Sequence, residues 1–166
     1  MGTYIYIEGS FTIEKNRIPD AMDALKNLNN HDDLKRGGGK SADGKREVWF
    51  SWCPEDYDQK VETLEDVFNM LGFEMYIESD DPQEITYSFD YNDKWGQHEI
   101  FFVALAPFCK ELIVNHTCDE LNYEDQKWTI ALKPEKGTVH QLIPVINIIY
   151  PPMTDENAVT IKSYAP

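Results

Sequence analysis

The chain has 166 residues, with 15 Lys and Arg against 30 Asp and Glu, for a net charge of −15. That balance argues against direct binding to nucleic acid or to an anionic membrane, because phosphate contacts need clustered cations. An apolar content of 42%, with 13% aromatic residues, is too rich for a disordered chain, and the length suits one domain over 1–166.

The first strand is read from Ile5, Ile7, Phe11 and Ile13, which alternate with Tyr4, Tyr6, Glu8, Ser10 and Thr12. A short helix follows, with Pro19 in its first turn, Ile18, Met22, Leu25 and Leu28 on one stripe, and Asn29-Asn30 as its stop. Residues 29–46 show no periodicity and contain three consecutive glycines, so a mobile loop is expected there, with Leu34 and Ala42 its only apolar residues. Val48, Phe50 and Trp52 alternate as a strand. A second helix is expected near 58–71, with Val61, Leu64, Val67, Phe68 and Leu71 facing inward and Gly72 closing it. Phe73, Met75 and Ile77, then Ile85, Tyr87, Phe89 and Tyr91, mark two strands around the Asp80-Asp81-Pro82 turn. The run HEIFFVALAPFC reads as a buried helix near 96–106. Strands are expected at Leu112–Thr117, Lys127–Leu132 and Val139–Tyr150, and a tail from 151 to 166 carries a last short β segment, Val159–Lys162. The fold class is α+β: a mainly antiparallel sheet with two or three helices packed on it.

Three cysteines, Cys53, Cys109 and Cys118, form no CxxC pair, which favours a reducing compartment over a disulfide framework. No apolar run reaches about 18 residues, and MGTYIYIEGS lacks the basic region of a signal peptide. A cytoplasmic protein is expected, with no membrane partner; nothing in the sequence sets its oligomeric state.

Enzyme motifs fail one by one. GGGKS resembles the end of a phosphate-binding loop, but Leu34 stands where its first glycine belongs, and a strand rather than a helix follows. His98-Glu99 lacks a second histidine at 102, which is Phe102, so His98 is expected near a helix start and partly exposed. Asp90, Asn92 and Asp93 have the wrong spacing for a calcium loop and are better read as a helix cap at Asn92 or Asp93. Cys109, His116 and Cys118, with Asp119, come nearest to a zinc set, if a turn brings Cys109 close; isolated cysteines usually only pack. No catalytic residue, metal or cofactor is assigned.

Charge is concentrated. Residues 47–93 carry 14 acids and one base, Lys60, whereas residues 1–46 are close to neutral. This block is either a solvated face or a docking surface for a basic protein. The candidate partner-binding residues are Glu55, Asp56, Tyr57, Asp58, Glu62, Glu65, Asp66, Glu74, Glu78, Asp80 and Asp81. Tyr76, Tyr91, Trp95 and Tyr123 join Tyr57 as candidate aromatic anchors.

The segments GTYIYIEGSFTIE, VWFSW, LEDVFNMLGF, ALAPFCKELI, QKWTIAL and INIIYP resemble an uncharacterised family of small phage and actinobacterial proteins. The resemblance implies no activity. It implies a context, since small phage accessory proteins often inhibit host machinery. The expected function is therefore a non-enzymatic, acidic, anti-defence inhibitor of a basic, nucleic-acid-binding host protein. The alternatives are a toxin-neutralising immunity protein, and an enzyme or a nucleotide-signal sponge; a sponge would draw on Lys35, Arg36, Lys40, Lys45 and Arg46.

Overall fold

The computed structural model describes residues 4–51, 53–94 and 96–116 with their side chains, and the backbone of 117–118, 128–133, 145–148 and 159–161. In chain order the elements are β1 (Tyr4–Glu14), α1 (Ile18–Asn27), β2 (Gly37–Lys40), β3 (Arg46–Trp49), α2 (Leu64–Met70), β4 (Glu74–Asp80), β5 (Glu84–Lys94), α3 (His98–Leu105), β6 (Cys109–Cys118), β7 (Trp128–Lys133), β8 (Val145–Ile148) and β9 (Val159–Ile161). Seven strands join in the order β4-β5-β1-β6-β7-β8-β9, each pairing antiparallel, while β2 and β3 form a separate two-stranded ribbon. The expected α+β class and the β4–β5 hairpin are both present.

The alternation in β1 decides the layering. Ile5, Ile7, Phe11 and Ile13 point into one core with Ile85, Tyr87, Phe89 and Tyr91 of β5 and Leu112 and Val114 of β6. All three helices close that same face. Phe68 of α2 packs on Phe11 at 5.9 Å between ring centroids and on Phe102 of α3 at 5.1 Å. Leu25 of α1 is fully buried in the same cluster. The opposite face of the sheet carries no helix among the described residues.

The second helix is shorter than its hydrophobic stripe. It starts at Leu64 because Thr63 and Asp66 form a capping box: the Thr63 hydroxyl accepts from the Asp66 amide, and the Asp66 carboxylate accepts from the amides of Thr63 and Glu62. A 3-10 turn at Tyr57–Gln59 replaces the expected first turns. The helix ends in a Schellman motif. Gly72, at φ +94°, donates to the Asn69 carbonyl, and Phe73 donates to that of Phe68.

The segment expected as a loop over 29–46 is largely built. Gly37–Lys40 pairs with Arg46–Trp49 in register, Gly37 opposite Trp49 and Lys40 opposite Arg46. The glycines have a packing reason: a Cβ on Gly37 would fall 2.7 Å from the Trp49 indole, and one on Gly39 would fall 3.1 Å from it. The indole therefore lies across a bed of bare backbone, and no phosphate loop exists here. The base of the ribbon is held by Gln97, itself buried, whose carbonyl accepts from the amides of Arg36 (2.8 Å) and Ser51 (3.2 Å) while its amide donates to the Leu34 carbonyl (2.7 Å). Lys35 adds a tether: its ammonium donates to the Asn29 carbonyl and lies 5.9 Å from the Phe50 ring centroid. Sequence reasoning looked for apolar pins and missed these polar ones.

Asp90, Asn92 and Asp93 lie inside β5, so neither caps a helix; Gln97 precedes α3 instead. Backbone of β8 and β9 falls within the expected C-terminal segments, and β7 covers the expected one from Trp128 and runs one residue past it to Lys133; the remaining residues of those segments lie outside the described ones. Among the described residues no helix is long and apolar enough to cross a membrane.

Candidate functional site

The structure divides the acidic candidates between two sides of the sheet. Tyr57 is not a surface residue. Its ring is fully buried between Phe50 and Phe101, and its hydroxyl donates to the Leu25 carbonyl at 2.6 Å. Burial removes it from any docking surface, and it removes Tyr91, 4% exposed, as well. Trp95 and Tyr123 lie outside the described residues.

On the helical side, most acids already have work. Asp56 pairs with Lys60 at 2.7 Å, Asp58 accepts from Asn29, and Asp66 caps α2. Glu65 accepts from Tyr87, a core residue of β5, at 2.8 Å. Asp80 pairs with Lys15, and Asp81 accepts from the amides of Gln83 and Glu84 to shape the β4–β5 turn. Asp66 and Asp81 are both held below the usual carboxylate range by these backbone hydrogen bonds. Glu55 and Glu62 alone of this group are exposed with no side-chain partner among the described residues.

Glu74 and Glu78 belong to the other side. On the outer face of the sheet, Glu74 of β4 lies directly opposite Asp90 of β5, and Asp90 lies directly opposite Glu8 of β1. Three carboxylates thus form one row across three strands, where directly opposed like charges repel. Tyr76, 46% exposed, donates to Glu74 at 2.6 Å, and Tyr6, 37% exposed, donates to Glu8 at 3.2 Å. The hydrogen bond to Glu74 is the main reason the Tyr76 phenol is pushed up to about 12, and the bond to Glu8 raises Tyr6 in the same way. Ser88 donates to Glu78 beside them. Ser10, Ile113 and Asn115 complete an open groove of about 410 Å³ along this face, and Ile113 is half exposed.

Glu8, Asp90 and Tyr6 were absent from the sequence-derived set. Their polar phase in β1 and β5 was legible. What brings Glu8 beside Asp90 is the pairing of β1 with β5 across the 69 residues of chain between Glu14 and Glu84, which no local pattern records.

The remaining chemistry is structural. Cys109 opens β6, the strand that also carries His116, with no turn between them. Seven steps along the strand separate the two by roughly 23 Å, so they cannot share an ion. Among the described residues no three His, Cys, Asp or Glu side chains gather as metal ligands. His98 is the first residue of α3 and is 2% exposed, not partly exposed, because its ring fills a slot against Tyr91 and Phe73. Burial, helped by the nearby His116, pushes its imidazole down to about 4. A second groove, about 560 Å³, is lined by Asp20, Asp23, Ala24, Asn27 and Phe108 and holds no base for a phosphate.

No protein-family model, curated protein or solved structure matches this chain.

Proposed function

We propose that this protein is a non-enzymatic acidic accessory protein of the phage kind, which docks on a basic, nucleic-acid-binding host or defence protein and blocks it, using the outer face of its sheet. The row Glu74–Asp90–Glu8 supports this reading, bordered by the exposed rings of Tyr76 and Tyr6. Strands lie about 4.8 Å apart, so the row presents closely spaced negative charge, as the phosphates of a nucleic-acid strand do. A basic cleft shaped for phosphates meets both the charge and an aromatic surface to pack on. Relief of the repulsion within the row adds to the gain on docking, and the field speeds encounter.

The test compares three immobilised chains: wild type, Glu8→Lys/Asp90→Lys, and the charge-matched Asp155→Lys/Glu156→Lys. Wild type and the tail variant are expected to retain one basic protein from host lysate, with association slowing as salt rises. The face variant is expected to associate at least about tenfold more slowly with that purified protein. Equal binding by both variants, or capture that ignores salt, would remove the outer face from the mechanism.

A further inference from the structure

The β2–β3 ribbon is an anomaly in a chain of net charge −15. Residues 35–49 hold five bases and two acids. Lys40 and Arg46 are directly opposite each other in the ladder, both exposed, with Lys45 beside them in the turn. None of these three makes an ion pair among the described residues, although the chain has 30 acids. Of the ribbon's two acids, Asp43 accepts from the Ser41 hydroxyl and the Lys45 amide and so serves the turn, while Glu47 sits opposite Gly39 in the ladder and forms no ion pair with the three bases. Two cations opposed across a ladder repel, as do the three carboxylates opposed across the outer face. Each surface carries in register the charge that would relieve the other.

The ribbon cannot meet the outer face of its own chain. It is rooted on the helical side, where Gln97 at the start of α3 holds Leu34, Arg36 and Ser51, and Phe50 packs on Phe101 of α3. The sheet lies between.

We infer that the ribbon is a docking arm whose occupant is a second copy of this chain: Lys40 and Arg46 of one copy seat on the Glu74–Asp90–Glu8 row of the next. The arm and its target lie on opposite sides of the molecule, so the association is head to tail. It extends or closes into a ring, and does not stop at a two-fold dimer. It occupies the face assigned above to a basic partner without requiring that partner, and a second copy and the partner compete for it.

The experiment is sedimentation velocity of the full chain from micromolar to near-millimolar concentration. At physiological salt, where the Debye length is about 8 Å and the long-range repulsion between acidic chains is damped, mass is expected to climb with concentration beyond two copies of the 19.3 kDa chain. In molar salt it is expected to return to one copy. Lys40→Ser/Arg46→Ser lacks the arm, and Glu8→Gln/Asp90→Asn lacks the target; each alone is expected to stay monomeric with an unchanged circular dichroism spectrum. Mixed, they are expected to form a one-to-one pair that grows no further, because a single complementary contact remains. A wild type monomeric throughout, variants that still associate, or a mixture that forms no pair would each overturn the inference. So would a wild type that stays monomeric yet binds a fluorescent single-stranded oligonucleotide through Lys40 and Arg46. The arm variant keeps the acidic face, so its retention of a basic partner separates failure here from failure of the proposed function.

Discussion

His98 shows how one side chain couples this fold to pH. Its imidazole is 2% exposed and packs 4.3 Å from the Tyr91 ring, where a charge is poorly solvated. Its folded-state value, about 4, lies below the ordinary 6.5, so the unfolded chain binds this proton more tightly. The stabilising contribution is complete above about pH 6.5 and is lost as pH falls from there toward about 4. At about 1.36 kcal/mol per pH unit of displacement, the loss is on the order of 3 kcal/mol. Urea unfolding at neutral pH and near pH 4.5 checks this. His98→Phe is expected to flatten the difference between the two conditions by that order, and an unchanged difference would assign the acid sensitivity to carboxylates such as Asp66 and Asp81.

Among the elements, α2 illustrates an acid with two readings. Glu62, Glu65 and Asp66 look alike as a charged outer stripe, yet Glu65 accepts from Tyr87, and Asp66 satisfies the Glu62 and Thr63 amides. Removing the cap orphans donors at the helix start. Asp66→Ala is expected to cost about 1 kcal/mol, whereas Glu62→Lys is expected to stay within about 0.5 kcal/mol. Chemical denaturation of the two variants beside wild type measures both. Equal costs would mean that the box contributes nothing to α2. The stripe is therefore a helix-start signal as much as a charged surface, and a combined reversal of all three residues does not leave the fold untouched.

For the whole molecule, charge distribution outweighs its total. Carboxylates opposed across the sheet and a −13 block over residues 47–93 place much of the chain under self-repulsion. Five ion pairs among the described residues, all involving a partner that is largely exposed, offset little of it. Melting temperature is accordingly expected to rise as salt is raised from a few millimolar to physiological strength, as screening weakens the repulsion. A fall would show that the ion pairs dominate. The same screening is expected to slow a basic partner's encounter with the outer face, so salt acts in opposite directions on stability and on docking.

Local periodicity was enough for the α+β class, the β4–β5 hairpin and the core faces of β1 and β5, because alternation over 7 to 11 residues, as in Ile85, Tyr87, Phe89 and Tyr91, is written in consecutive sequence. It also located the acidic block. Tyr57 was misread because its neighbours are charged while its burial comes from Phe50 across a short turn and from Leu25 and Phe101, contributed by distant segments. The ribbon was misread because GGG signals freedom until Trp49 is laid across it and Gln97 holds its base. The candidate docking face is the clearest division. Sequence alone determined that Glu8, Glu74 and Asp90 sit on polar phases of their strands; only the tertiary pairing β4-β5-β1 aligned them into one row, because strand order is set by long-range burial of the opposite face, which leaves no local trace.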